Sequence, residues 1–245
     1  MSIGVIGGTG ALALFEPLET AALTTPFGPP SARPVRIEIA GRAAWFLARH
    51  GNPHRIPPHR VNYRANLHAL RTLGCRTVVA VSAVGGIDPD LAPGTLVAID
   101  QVIDYTWGRD HTYSDGPSAP LRHVEFARPF EGRARRALIE AASELAEPLV
   151  AEGCYAATQG PRLESAAEVR RLARDGCTVV GMTAMPEAGL ARELGMDYAN
   201  LCVVANPAAG VSDEPISEDE IHRELAAAMD RVRGVLEAAV GRLPE

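Results

Sequence analysis

Short apolar runs of strand length recur along the chain: IGVI, PVRIEIA, AAWFLA, RTVVAVSA, GTLVAIDQVI, AEGCYAAT, CTVVGM and YANLCVVA. Several are continuous rather than alternating, which predicts strands covered on both faces. Helical patterns lie between them. Residues 63–73 stop at Gly74, residues 164–174 stop at Gly176, and residues 186–194 open on Pro186, which suits a first helical turn. In the last segment Ser217 and Glu220 are spaced as a capping box, and Ile221, Leu225, Val232, Leu236 and Val240 fall at helical spacing. Strands alternating with helices predict an α/β fold on a largely parallel sheet. Residues 104–129, which include YTWGRDHTYSDGPSAPLRH, are polar and turn-rich, and a loop that long in a compact domain is usually functional or mobile.

With 245 residues, 47% of them hydrophobic, and no break in composition, the chain is expected to form one domain over residues 1–245. The formal charge of -6 offers no basic face for nucleic acid or anionic lipid, so small molecules are the expected partners. No basic segment followed by an apolar run opens the chain, and no window approaches the ~18 apolar residues of a membrane span. A cytoplasmic protein is expected. Cys75, Cys154, Cys177 and Cys202 stand apart without a CxxC pair, which suggests buried thiols rather than zinc ligands or disulfides.

Ligands of open α/β sheets collect beyond the carboxyl ends of the strands, so the residues that end each apolar run carry the candidate chemistry. Thr9 follows GVIGG, Arg49 and His50 follow AAWFLA, Ala83 follows VVAVS, Thr183 follows CTVVGM, and Asn206 follows LCVVA. A guanidinium, two hydroxyls, an imidazole and backbone amides make an anion site. Gly8, Gly10 and Ala13 also satisfy the dinucleotide fingerprint G-x-G-x-x-A. That fold needs a helix of several turns after the glycines and an acidic residue about 20 positions on. Pro17 leaves little room for the helix, and the later stretch reads TTPFGPPSARP, without Asp or Glu. A turn around a small free anion is the better reading, with a nucleotide-dependent oxidoreductase and a non-catalytic ligand binder as alternatives. His50 and His54 have a metal-binding spacing only on a helix, and GNPHRIPPHR is too proline-rich to form one, so no metal is expected. His59 and His68 read as exposed or packing residues, and Glu187 as a carboxylate complementing a helix dipole.

GVIGGTGAL at 4–12, LARHGNPHRIPPHRVNYRANLHAL at 47–70, SAVGGI at 82–87, TQGPRLES at 158–165 and GMTAMPEAGLARE at 181–193 together resemble the trimeric purine nucleoside phosphorylases, within them the methylthioadenosine phosphorylase branch. The resemblance implies a single α/β domain with a mixed, partly barrel-like central sheet flanked by helices. It implies a homotrimer, with hexamers left open, and phosphorolysis: inorganic phosphate attacks C1′ of a purine nucleoside, with phosphate as co-substrate and no cofactor. The family's phosphate ligands fall on Thr9, Arg49, His50, the Ala83 backbone and Thr183. Met182 matches the methionine against the ribose, and His123 a histidine lent to the neighbouring subunit's 5′ pocket. Leu163 stands where an aromatic ring usually stacks on the base.

Members acting on methylthioadenosine carry aspartates after the last strand; this chain has Asn206 and Ala208 there, in ANPAAG. An asparagine amide can donate to a 6-oxo group and accept from a protonated N7. Glu164 occupies the place of a glutamate that accepts from N1–H in inosine- and guanosine-cleaving relatives. A carboxylate facing the bare N1 of adenine would be unpaired. Pro207, Ala208, Ala209 and Val211 would form an apolar wall for a methylthio group. The implied reaction converts 5′-methylthioinosine and phosphate to hypoxanthine and 5-methylthioribose 1-phosphate, with Asn206, Glu164 and Arg49 as catalytic groups. The alternatives are a methylthioadenosine phosphorylase and an inosine or guanosine phosphorylase.

Overall fold

A computed structural model describes residues 2–8, 11–116 and 119–244. Its strands are β1 (Ser2–Gly7), β2 (Glu19–Thr20), β3 (Val35–Ile39), β4 (Arg42–Ala48), β5 (Cys75–Gly86), β6 (Leu96–Ala98), β7 (Gln101–Asp104), β8 (Leu149–Val150), β9 (Cys154–Ala157), β10 (Val179–Gly181) and β11 (Asp197–Pro207). The helices are α1 (Tyr63–Thr72), α2 (Arg133–Glu144), α3 (Ala166–Arg174), α4 (Ala184–Glu193) and α5 (Glu218–Arg242). The strands form one 11-stranded sheet, in which β2-β3-β4-β1-β5-β10-β9-β7 is one path and β5-β11-β6-β8 branches from it.

The long central strand β5 organises this sheet. One of its edges is paired with β11 in parallel from Thr77 to Gly86. The other is shared: β1 runs parallel to it as far as Val81, and β10 meets it antiparallel at Gly85 and Gly86. Residues 82–84 therefore have a strand on one edge only. The sheet is mixed rather than largely parallel, because β3 against β2 and β4, β10 against β5, and β6 against β11 are all antiparallel. Its two arms are rejoined where β6 leads into β7, which gives the partly barrel-like closure.

GTLVAIDQVI is not one strand but two. Asp100 makes the corner, donating from its backbone N–H to Gly153 O at 3.2 Å and accepting from Gly153 N–H on its carboxylate at 2.7 Å. A polar residue with that fixed partner ends β6 and restarts the chain as β7. The helix α2 was not apparent in RARRALIEAASE because its buried stripe is mainly alanine: Ala134, Ala137, Leu138, Ala141 and Ala142. Its N-cap, Gly132, has no side chain, and Asp197 of β11 accepts from Ala134 N–H at 3.0 Å instead.

Helix α3 starts at Ala166, two residues later than the sequence pattern predicts, because Ser165 and Glu168 form a reciprocal capping box. That excludes Glu164 from the helix. In α5 only half of the expected box forms: Ser217 Oγ accepts from Glu220 N–H, and the Glu220 carboxylate lies by Arg223. Of the five apolar positions assigned to α5, Leu225, Val232, Leu236 and Val240 are buried and Ile221 is partly buried.

Strand alternation sends Val79, Val81, Leu201 and Val203 to one face, packed with α2 and α5, and Val78, Ala80, Cys202 and Val204 to the other, packed with α1 and α4. Ser82 shares the parity of Val78 and Ala80, so it belongs to the α1/α4 face. Gly86 crosses between Leu91 and Val204; a Cβ there would stand 2.8 Å from the Leu91 carbonyl oxygen. Because the obstacle is backbone, we expect Gly86→Ala to destabilise the protein by about 1–3 kcal/mol in chemical denaturation; an unchanged midpoint would show that the strand can shift to accept the methyl group.

Candidate active site

The unpaired stretch of β5 opens into a cavity of about 280 Å³. Arg49 reaches it from the end of β4: its backbone N–H donates to Gly7 O at 2.9 Å, and its side chain passes the end of β1 so that Nη1 donates to Val81 O at 3.2 Å. Within a strand, N–H and C=O of one residue share an edge and alternate along the chain, so Ala83 presents its backbone to the same edge as Val81. Ala83, Ser82, Arg49, His50 and Thr183 all line the cavity. Thr183, the N-cap of α4, makes no side-chain capping bond, and its N–H donates to the buried Tyr155 hydroxyl at 3.2 Å. Ser82 was not singled out from the sequence. Its buried Oγ has no hydrogen-bond partner among the described residues, and a buried orphan hydroxyl on a cavity wall is a ligand-binding signal that only coordinates reveal. Thr9 lies outside the described residues. After the glycines comes a single 3-10 turn, Ala11–Leu14, rather than the long helix a dinucleotide requires.

Arg49 is 1% exposed. Its Nε and Nη2 donate to the two carboxylate oxygens of Glu187 at 2.8 and 2.9 Å, and Tyr198 Oη donates to Glu187 Oε1 at 2.8 Å. Glu187 is therefore a fully buried counter-ion rather than an exposed helix-dipole partner. Burial opposes the charge on Arg49, but the Glu187 carboxylate outweighs it and holds the guanidinium above its ordinary pKa.

At the other end Glu164 Oε1 accepts from Thr158 Oγ1 at 2.6 Å, leaving Oε2 for a ligand. Asn206 Nδ2 donates to Pro207 O at 2.6 Å, which leaves one N–H and Oδ1. Asn206 follows a register shift in β11 after Val204, and it pairs with Gly85. Glu164, Asn206, Leu163, Met182 and Ala208 line the cavity, with Leu163 44% exposed. Of the expected apolar wall Ala209 also lines it, but Pro207 and Val211 do not. Ile216, Ile221, Leu225 and Met229, at and before the start of α5, supply apolar surface instead. His123 is exposed and does not line this cavity of its own chain.

Arg109, in the long loop, ties these walls together. It donates to the carbonyls of Thr158, Gln159, Met182 and Met185 at 2.7–3.1 Å, and to Tyr63 Oη at 3.3 Å. Gly160, at φ +60°, is packed so closely on Met182 that a Cβ would collide with its sulfur.

The profile of the phosphorylase superfamily matches residues 2–241. The chain belongs to that superfamily. Curated relatives of this superfamily member include a probable S-methyl-5′-thioinosine phosphorylase of Xanthomonas campestris, 45% identical over 99% of this chain and 97% of that protein. An S-methyl-5′-thioadenosine phosphorylase of Pyrococcus furiosus is 43% identical over 99% of this chain and 93% of the relative. Among solved structures, methylthioadenosine phosphorylase from Schistosoma mansoni in complex with adenine superposes with a TM-score of 0.93 at 34% identity, covering 98% of this chain and 91% of that one. Among the described residues no group of three or more His, Cys, Asp or Glu could hold a metal ion, and no helix is long and apolar enough to cross a membrane.

His50 Nδ1 lies 2.8 Å from the Ile56 carbonyl oxygen, so Nδ1 carries a proton and Nε2 is the acceptor of the neutral ring. Burial first, then the nearby Arg49 charge, push its pKa down to about 4. Between the ordinary value of 6.5 and about 4, the unfolded chain takes up a proton that the folded chain refuses. Stability from this group is thus complete above pH 6.5 and lost as pH falls toward 4. In chemical denaturation at pH 7 and pH 4.5, the wild type should lose more stability than His50→Gln; equal losses would mean that His50 titrates normally.

Proposed function

We propose that the chain is a purine nucleoside phosphorylase whose substrate is a 6-oxopurine nucleoside with a 5′-methylthio group, 5′-methylthioinosine, giving hypoxanthine and 5-methylthioribose 1-phosphate. The observation that carries the base assignment is the pairing, on one cavity wall, of Asn206 with a free N–H and Oδ1 and Glu164 with a free Oε2. The N–H suits O6, Oδ1 suits a protonated N7, and the carboxylate suits N1–H. Adenine inverts this edge, placing an amino donor against a donor and a lone pair against a carboxylate. The apolar surface from Ile216, Ile221, Leu225 and Met229 supports a methylthio group over a hydroxyl at C5′. The names of the Xanthomonas and Pyrococcus relatives agree on the methylthio sugar and differ in the base.

In this reading Arg49, Ser82, the Ala83 amide, Thr183 and Thr9 hold phosphate beneath the ribose, His50 Nε2 accepts from the phosphate hydroxyl, and Met182 packs on the sugar. As the bond from N9 to C1′ breaks, its electrons go to the purine and positive charge gathers on the sugar, where the phosphate dianion stabilises it. A phosphate oxygen then bonds C1′. The Asn206 N–H bound to O6 holds the departing base more tightly as it gains electron density, so Asn206 acts on the transition state more than on the ground state, while Glu164 orients the base through N1–H. The proton that phosphate gives up on bonding C1′ passes to N7, where Asn206 Oδ1 accepts from it, and the purine leaves as neutral hypoxanthine. No side chain forms a covalent intermediate, and phosphate is the co-substrate in place of any cofactor. The reading extends to one catalytic domain over residues 1–245, acting in the cytoplasm as a homotrimer. Its support is His123, exposed on the long loop, where it is free to serve a neighbouring subunit's 5′ pocket.

Hypoxanthine release from methylthioinosine should require phosphate. Two buried mismatches should place kcat/KM for methylthioadenosine roughly 10- to 10⁴-fold lower; equal values for the two nucleosides would refute the base assignment. Asn206→Asp restores an acceptor for a 6-amino group and should narrow that ratio at least about tenfold. An unchanged ratio would remove Asn206 from base recognition.

A further inference from the structure

The Arg49 guanidinium divides its donors between two directions. Of the five N–H groups a guanidinium offers, Nε and one on Nη2 go to Glu187 and one on Nη1 goes to Val81 O, which leaves one N–H on each terminal nitrogen. Arg49 lines the cavity and Glu187 does not. An anion in the cavity therefore shares Arg49 with a carboxylate that stays behind it. Glu187 is itself shared, since its Oε1 accepts from both Arg49 Nη2 and Tyr198 Oη.

We infer that Glu187 is a resident counter-ion that competes with phosphate for Arg49 and keeps phosphate binding weak enough for turnover, and that Tyr198 moderates this competition by occupying Oε1. The inference rests on the phosphorylase reading above. Glu187 touches Arg49 and not the ligand, so it is a positioning residue.

The physical argument has two parts. With the cavity empty, a guanidinium this buried needs a partner, because an unpaired buried charge is strongly destabilising. With phosphate present, the same carboxylate repels the incoming anion and halves the donors that Arg49 can offer it. One residue thus supports the empty site and weakens the filled one. Glu187 also lies four residues after Thr183, at the start of α4, so the counter-ion and a candidate phosphate ligand are carried by one short segment.

The test compares wild type, Glu187→Gln and Tyr198→Phe in two measurements: thermal unfolding with and without inorganic phosphate, and the phosphate KM at saturating methylthioinosine. Glu187→Gln should unfold earlier than wild type in buffer and recover more when phosphate is added. Its phosphate KM should fall about fivefold, and kcat should fall as the sugar phosphate leaves more slowly. Tyr198→Phe removes a competing donor from Oε1, so Glu187 grips Arg49 harder. Its phosphate KM should rise about twofold with the nucleoside KM unchanged. A loosened fold cannot produce opposite signs in the two variants. A phosphate KM that rises in Glu187→Gln, or falls in Tyr198→Phe, overturns the inference, and Tyr198→Phe decides alone if the glutamine variant does not fold. If wild type is neither stabilised by phosphate nor dependent on it for turnover, the phosphorylase reading fails instead.

Discussion

The cavity exists because β5 changes neighbours. A strand in the middle of a sheet ordinarily has both edges satisfied, and unpaired backbone groups inside a protein carry a penalty. Here the pairing with β1 stops at Val81 and that with β10 starts at Gly85, and between them the edge of β5 is left for something other than a strand. Arg49 covers part of it by donating to Val81 O. The remaining backbone and the Ser82 hydroxyl define where an oxyanion fits. Other walls are placed relative to this gap: α4 begins just after β10, and Asn206 sits opposite Gly85.

Below the gap lies a polar layer that a hydrophobic core would not contain by default. Arg49, Glu187, Tyr198, Tyr155 and Tyr63 are all buried. Burial raises the pKa of Tyr198 and Tyr63 well above that of an exposed phenol and that of Tyr155 to about 12, so these hydroxyls stay protonated and act as fixed hydrogen-bond groups. Tyr198 and Tyr155 serve different partners, Glu187 and the Thr183 amide, and so brace two parts of the cavity lining separately. A buried ion pair is weak support for stability in general, and here its place beside a cavity gives it a more specific use.

Much of this was legible in the sequence. The ends of the apolar runs identified Arg49, His50, Ala83, Thr183 and Asn206, and the structure brings these to one cavity, although Ala83 lies within β5 and Thr183 follows a strand antiparallel to it. The partners behind them were not legible. Glu187 reads as an ordinary first-turn carboxylate until the fold brings it to Arg49 across 138 positions of chain. Ser82 looks like one more residue of an apolar strand, and only its missing partner marks it. Alanine-rich α2 and the corner at Asp100 escaped because side-chain size and a remote backbone partner, not periodicity, decide them. The α5 side of the cavity escapes for a related reason: helical spacing places Ile221 and Leu225 on one face without showing that they serve core and cavity at once.

Arg109 has a consequence for how a substrate enters. By gripping carbonyls at Thr158 and Gln159 on one side and at Met182 and Met185 on the other, it rivets the segment after β9 to the segment after β10. Those two segments cannot part without Arg109 giving up both acceptors on one side. A substrate therefore meets one part of the cavity locked by Arg109 and another, Ile221 and Leu225 of α5, that Arg109 does not hold.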